Sequence, residues 1–170
     1  MSRPHVAVGD CERIRPGLIG QPANTVSSLA FVVAAVPLLR WSRRPGRSAW
    51  ARVAAAAAAE GIGSVGYHGP GGRLAKAVHD WGLVALVAAF GGVARQDPAV
   101  LRPRPLAAGL GAAAVGLHAL SRTGRPLCSC DSRLQGHALF HVLAAGALVA
   151  AAAPRPTTGA RARAVQGSAR

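Results

Sequence analysis

The stretch GIGSVGYHGP, residues 61–70, follows six consecutive alanines and Glu60. If the alanine run is helical, Ser64 and His68 share one face near its end, because residues four apart stack along a helix. Glu60 falls one turn further back on that face. Polar side chains lined up inside an apolar helix are costly where water is absent and commonly mark function in membrane segments. The stretch therefore predicts a membrane helix with a site at its end.

Composition points to the same environment. Of the 170 residues, 51% are apolar, only 15% are charged and 4% are aromatic, so small aliphatic residues supply most of the hydrophobicity. A net charge of +14 would suit nucleic acid if it formed a patch. The arginines instead cluster in Pro- and Gly-containing breaks between apolar runs, so no nucleic-acid partner is expected. Apolar segments recur at about 25–40, 49–67, 78–94, 106–120 and 135–153, each near the ~17–25 residues that cross ~30 Å of hydrocarbon. The expected fold is all-α, a polytopic transmembrane helical bundle of about five spans, with the fourth short and Gly-rich. Residues 1–153 are expected to form one membrane-embedded domain and 154–170 a disordered, basic cytoplasmic tail. The first 23 residues lack the apolar core of a cleavable signal peptide, so the first span is expected to be a retained anchor.

An odd number of spans puts the termini on opposite sides. The N-terminal segment and the 68–78 and 121–134 loops then share one side with eight Lys and Arg, against twelve on the other. The positive-inside rule places the tail in the cytoplasm and the N-terminus outside, in what is expected to be a bacterial cell membrane. Ser64, His68, Asp80, His137 and His141 all converge on the outer boundary in this topology.

GHALFHVLAA, residues 136–145, carries His137-x3-His141, a spacing that presents two imidazoles to one point. His68 offers a third nitrogen, and three protein ligands with one open position is the arrangement of catalytic zinc. No Glu lies between the two histidines as in HExxH, so the base must come from elsewhere. Asp80 is the candidate, taking a proton from zinc-activated water, and Ser64 is the candidate oxyanion donor. The competing structural roles are a helix cap for Asp80 and back-bonding to its own helix for Ser64. Upstream, Asp10, Glu12, Gln21 and Asn24 could hold a hard cation such as calcium or cap the first helix, and Asn24 fits an N-cap. Of the other histidines, His5 is expected to be solvated, His118 to pack in the fourth span, and His79 to point off the site face.

CE at residues 11–12, QPANTVSSLAF at 21–31, GIGSVGYHG at 61–69, the HD pair at 79–80 and GHALFH at 136–141 together resemble the alkaline ceramidase family. That family lies within the wider group of membrane hydrolases containing the progestin and adiponectin receptors and the Per1-like proteins. The resemblance implies a helical-bundle amide hydrolase with zinc on His68, His137 and His141, and with Ser64 and Asp80 completing the catalytic set. It also implies a calcium site, which Asp10, Glu12 and Asn24 could match in part, although Gln21 stands where an acidic residue is usual. The family has seven spans, so this chain is a reduced form, and loss of two between the third and the last keeps the site on one side. Finally, the resemblance implies a disulfide from Cys11 to Cys128 or Cys130, which an oxidising outer compartment permits. The expected function is cleavage of the amide bond of a ceramide-like N-acyl membrane lipid, with no protein partner. The alternatives are a lipid esterase or phospholipase on the same zinc, and a non-enzymatic protein with histidine-held haem or structural zinc.

Overall fold

A computed structural model of the chain describes residues 5–102 and 104–154. The tail from 155 onward, expected to be disordered, lies outside the described residues. These fold as five α-helices with no strand among them: α1 (Pro22–Ser42), α2 (Trp50–His68), α3 (Arg73–Gln96), α4 (Pro105–Leu120) and α5 (Gly136–Ala152), with a 3-10 turn at Pro98–Leu101. Each helix falls on one of the five expected apolar segments. Two of them, α1 and α3, are long and apolar enough to cross a membrane, while α4 and α5 are apolar but only 16 and 17 residues long.

The helices pack in the order α3, α2, α1, α5, α4, with α1 central and touching both α2 and α5. The core runs through Phe31 and Leu38 of α1, Val53 and Ala57 of α2, Leu86 and Val93 of α3, and Ala145 of α5. Alanine dominates because close helix axes leave no room for larger side chains.

Two glycines make the α2–α3 approach. A Cβ on Gly63 would lie 3.0 Å from the His79 backbone, and one on Gly82 would lie 2.7 Å from Glu60 Oε2 and 2.9 Å from its Cα. These contacts let Glu60 and His79 meet between the two helices. The drift of 3.6-residue periodicity explains why Glu60 turns toward α3 while Ser64 and His68 turn toward α1 and α5. Each four-residue step rotates by about 40°, so two steps separate the faces that the sequence pattern had merged.

The helix ends sort into two groups. At one end the N-terminal segment, the α2–α3 turn and the α4–α5 loop meet: Gly20 N donates to Gly69 O (2.9 Å), Arg13 N to Cys130 O (3.0 Å) and Thr123 N to Gly9 O (3.0 Å). A Cys11–Cys128 disulfide ties the first of these segments to the third. Closing a loop with a sequence separation of 117 stabilises the fold by about 4–5 kcal/mol in the chain-entropy account. At the opposite end Arg47 donates to Ala152 O, and Arg104 to Ala150 O (3.0 Å) and Ala153 O (2.6 Å), closing the C-terminus of α5. Burial and the neighbouring Arg104 and Arg44 lower the affinity of Arg47 for its proton.

Between α3 and α4, which close the row at its two ends, lies an apolar groove of about 550 Å³. Leu83, Leu86 and Phe90 form one wall, and Gly111 and Ala114 the other, with Phe140 at its floor.

Replacing Gly82 or Gly63 by Ala is expected to destabilise the fold by roughly 1–3 kcal/mol through overpacking. Gly91→Ala, which meets nothing within 4 Å, should be neutral or slightly stabilising. Thermal unfolding of the three variants in detergent checks this, and equal midpoints would show that α2 and α3 are not in tight contact.

Candidate metal centre

His68 ends α2, and His137 and His141 open α5 one turn apart. Packing of α1 between those helices brings the three imidazoles together, with ring centroids 5.0 Å (His68–His137), 5.3 Å (His68–His141) and 4.6 Å (His137–His141) apart. One nitrogen from each lies within 4.8 Å of the others, and the three residues are 0–5% exposed.

The hydrogen bonds decide which nitrogen faces inward. Gln21 is fully buried, and its Nε2 donates to Ala7 O and Glu12 O, both at 2.9 Å, so its Oε1 must be the atom 2.7 Å from His68 Nδ1. An amide oxygen only accepts, so His68 carries its proton on Nδ1 and a lone pair on Nε2. Ser27 Oγ donates to Asn24 O (3.1 Å), which leaves its oxygen to accept from His141 Nδ1 at 2.9 Å. Ser28 Oγ also donates to Asn24 O (2.7 Å), so Ser64 must be the donor in the 2.8 Å Ser64–Ser28 contact. His137 Nδ1 faces Asp10 Oδ1 at 3.6 Å. His68 Nε2 and both nitrogens of His137 are buried with no hydrogen-bond partner.

A buried nitrogen lone pair left unmatched costs about 1–3 kcal/mol. Convergent imidazoles with Nδ1 of His68 and His141 held by outer-shell groups are what metal sites use to fix tautomer and ring direction. The residues present therefore fit a divalent metal, and these three histidines could hold one.

The other expected site residues divide. Ser64 lies in the network, fully buried, but its proton is committed to Ser28. Asp80 requires a correction: the structure does not bring it to the imidazoles. The helix expected to begin near 78 begins at Arg73, so Asp80 sits in its third turn and not at its head. Lys76, one turn earlier on the same face, takes its carboxylate at 2.5 Å, and the Asp80 side chain is 51% exposed. His79 is the inward residue instead, lying three and seven positions before the buried Gly82 and Leu86. Its ring stacks on Tyr67 at 4.7 Å and stands 6.4 Å from His68. His79 Nε2 is 3.4 Å from Glu60 Oε1, and its Nδ1 is 3.0 Å from Asp80 Oδ1.

The calcium set is also redistributed. Both Glu12 oxygens accept from the first turn of α1, from Ala23 N and Asn24 N at 2.8 Å each. Glu12, from outside the helix, thus satisfies the orphan amides that Asn24 was expected to cap; Asn24 lies inside the helix. Asn24 Nδ2 reaches Asp10 O and Gln21 Oε1, both at 3.3 Å, and the Asp10 carboxylate faces His137. Burial pushes the Asp10 carboxyl above its ordinary value, with Arg122 and the Tyr67 hydroxyl pulling it back. Glu12 thus caps α1 and the Asp10 carboxylate faces His137, while Asn24 Oδ1 is buried with no hydrogen-bond partner.

His5, expected to be solvated, is part-buried. Its Nε2 donates to Gly69 O at 3.1 Å and its Nδ1 accepts from Ala7 N at 3.2 Å. His118 packs on α5, 5.4 Å from the His137 ring and 4.7 Å from Phe140. Ser27 and Ser28 were not among the candidates read from the sequence, and Gln21, read there as a cation ligand or cap, instead accepts from His68 Nδ1. Their signal was present as polar residues 21, 24 and 28, recurring at helical spacing on an apolar segment.

No protein-family model, curated protein or solved structure matches this chain. What the centre does therefore rests on its own residues.

Purified protein is expected to retain one divalent ion per chain, measured by elemental analysis, and His137→Ala should lose it. Gln21→Ala, which removes only an outer-shell acceptor, should weaken binding about 10–100-fold in chelator competition. Unchanged affinity would mean that Gln21 does not orient His68.

Proposed function

We propose that this chain is a zinc-dependent membrane hydrolase that cleaves the amide bond of an N-acyl lipid, similar to the alkaline ceramidases. The observation that carries it is the set of buried imidazoles, with His68 and His141 held through Nδ1 and with Nε2 of His68 and both nitrogens of His137 left bare, next to Phe140 of an apolar groove. His68, His137 and His141 would hold the metal. When bound there, zinc supplies a Lewis acid and lowers the pKa of water to about 7.

The protein's own groups would do the rest. Gln21 and Ser27 fix the rings of His68 and His141, and Asp10 Oδ1 stands 3.6 Å from His137 Nδ1. Ser64 acts through Ser28 as a positioning residue. His79 lies between buried Glu60 and exposed Asp80, so a proton on its imidazole has a carboxylate on either side, one of them open to water. The groove takes the acyl chain: Phe140, which packs on His137 and His141 at 5.4 Å, is its end nearest the imidazoles.

The membrane reading is supported by the surface. Val26, Leu29, Val33 and Val36 of α1 and Val78, Trp81, Val84 and Val87 of α3 are all exposed, rows of large apolar side chains that a lipid environment would cover. Only 17% of the apolar window of α3 is buried. All five helices would then be spans, with α4 and α5, about 24–26 Å long, matched by local thinning or snorkelling at their ends. The imidazole end would face outward and the Arg47–Arg104 end the cytoplasm.

A lipid ester would meet the same groups, and the experiment separates the two bonds. Haem is disfavoured, since ring centroids 4.6–5.3 Å apart leave no room for a macrocycle between the rings.

Incubation with fluorescent ceramides, other N-acyl amines and glycerolipids is expected to release fatty acid from at least one amide, and His137→Ala should abolish it. Release from esters alone would reassign the bond, and no release from any lipid would leave a structural metal. His79→Gln is expected to lower the rate by about 10²-fold or more if it carries the proton, and Asp80→Asn by less. The reverse order would return the role to Asp80.

A further inference from the structure

The N-terminal segment, residues 5–21, lies as a strap across the imidazole end. Ala7 and Gln21 are fully buried, Asp10 faces His137, and Glu12 caps α1. Its one covalent anchor is the Cys11–Cys128 disulfide. Cys130 is a free, exposed thiol whose Sγ stands 3.9 Å from both Cys11 Sγ and Cys128 Sγ. A structural disulfide has no need of a third sulfur within one coordination sphere, and a thiol so placed can attack either end of the bond.

We infer that Cys11, Cys128 and Cys130 form an exchange centre in which Cys130 can take Cys128 from Cys11 and free the strap. The step is balanced within the chain. The Cys130 thiolate attacks Cys128 Sγ, the Cys128–Cys130 bond forms, and the Cys11–Cys128 bond breaks. Cys11 leaves as a thiolate and recovers from water the proton that Cys130 gave up, with no net oxidation.

Equidistant from both sulfurs, Cys130 lies beside the bond and not on its axis, so attack requires its side chain to swing toward one end. Its exposure allows that movement. Cys11 is also the only non-glycine among the described residues with positive φ, at 53°, a backbone state that release would let relax. The strap's remaining anchors on the loop are hydrogen bonds from Arg13 N, Cys11 N and Thr123, and the exposed Arg13–Asp131 pair at 2.5 and 2.6 Å. Solvent can replace each of these. Attack at Cys11 instead would keep the strap tied, through Cys130, so the centre has two tethered states and one released state.

The full-length protein, purified without reductant in detergent, is held near the free-thiol pKa of about 8.5, quenched in acid and labelled with a maleimide. It is then digested with pepsin unreduced and mapped by tandem mass spectrometry. The proposed step is expected to place label on Cys11 as well as on Cys130, and label on Cys128 with none on Cys11 would overturn strap release because it marks the tethered Cys11–Cys130 pairing. Label confined to Cys130, or Cys130-linked dimer with no label on the other two, would overturn the proposal. Strap release is read separately by tryptic cleavage after Arg13, which should be faster in Cys11→Ser than in Cys130→Ser, where the tether is locked. Equal rates would show that the bond does not hold the strap.

Discussion

Three buried imidazoles share one small space, and the rest of the molecule is arranged around the problem this creates. Each ring has two nitrogens that need a partner, and the helices supply partners on one side for two of them: Gln21 for His68 and Ser27 for His141. The opposite nitrogen of His68 and both nitrogens of His137 have none. At about 1–3 kcal/mol for each unmatched group, such an arrangement is a liability in a domain of marginal stability. A cation turns the liability into binding energy, since the lone pairs are already aimed.

Holding the rings requires α1 to be polar at one end and apolar along the rest. Its first turns carry Gln21, Asn24, Thr25, Ser27 and Ser28, whose hydroxyl protons and amide are directed by backbone carbonyls. The direction of every bond in that network follows from counting donors. The helix that bears this load is fixed at its N-terminus by Glu12, which comes from the strap. The strap is thus both the roof of the centre and the cap of the helix that orients it, so the disulfide that ties it down bears on the geometry of the centre.

On the α2–α3 side, Gly63 and Gly82 bring the two backbones close enough that Glu60 and His79 meet away from water. Glu60 keeps one oxygen without a hydrogen-bond partner, and a buried carboxylate facing an imidazole that itself reaches an exposed carboxylate forms a line from the interior to the surface. The apolar groove opens between α3 and α4, the two ends of the helix row. In the proposed hydrolase, polar groups and apolar chain therefore approach the imidazoles from different directions: protons along α3, and the acyl chain along α4 and α5.

The positions of the five helices and the meeting of His68, His137 and His141 at one end were legible in the chain. Apolar run lengths, Pro and Gly breaks, and the i, i+4 spacing on α5 are local properties that hold whatever the neighbours are. Which residues face the centre was not local. The start of α3 at Arg73, directly after the Gly71–Gly72 break, put Lys76 one turn before Asp80, and packing of α2 on α3 at Gly63 and Gly82 turned His79 inward. The cap supplied by Glu12 to α1, the tautomer of His68 and the choice of Cys128 over Cys130 each join residues far apart in the chain. Helical periodicity fixes where a side chain lies on its own helix; only packing fixes what that side chain meets.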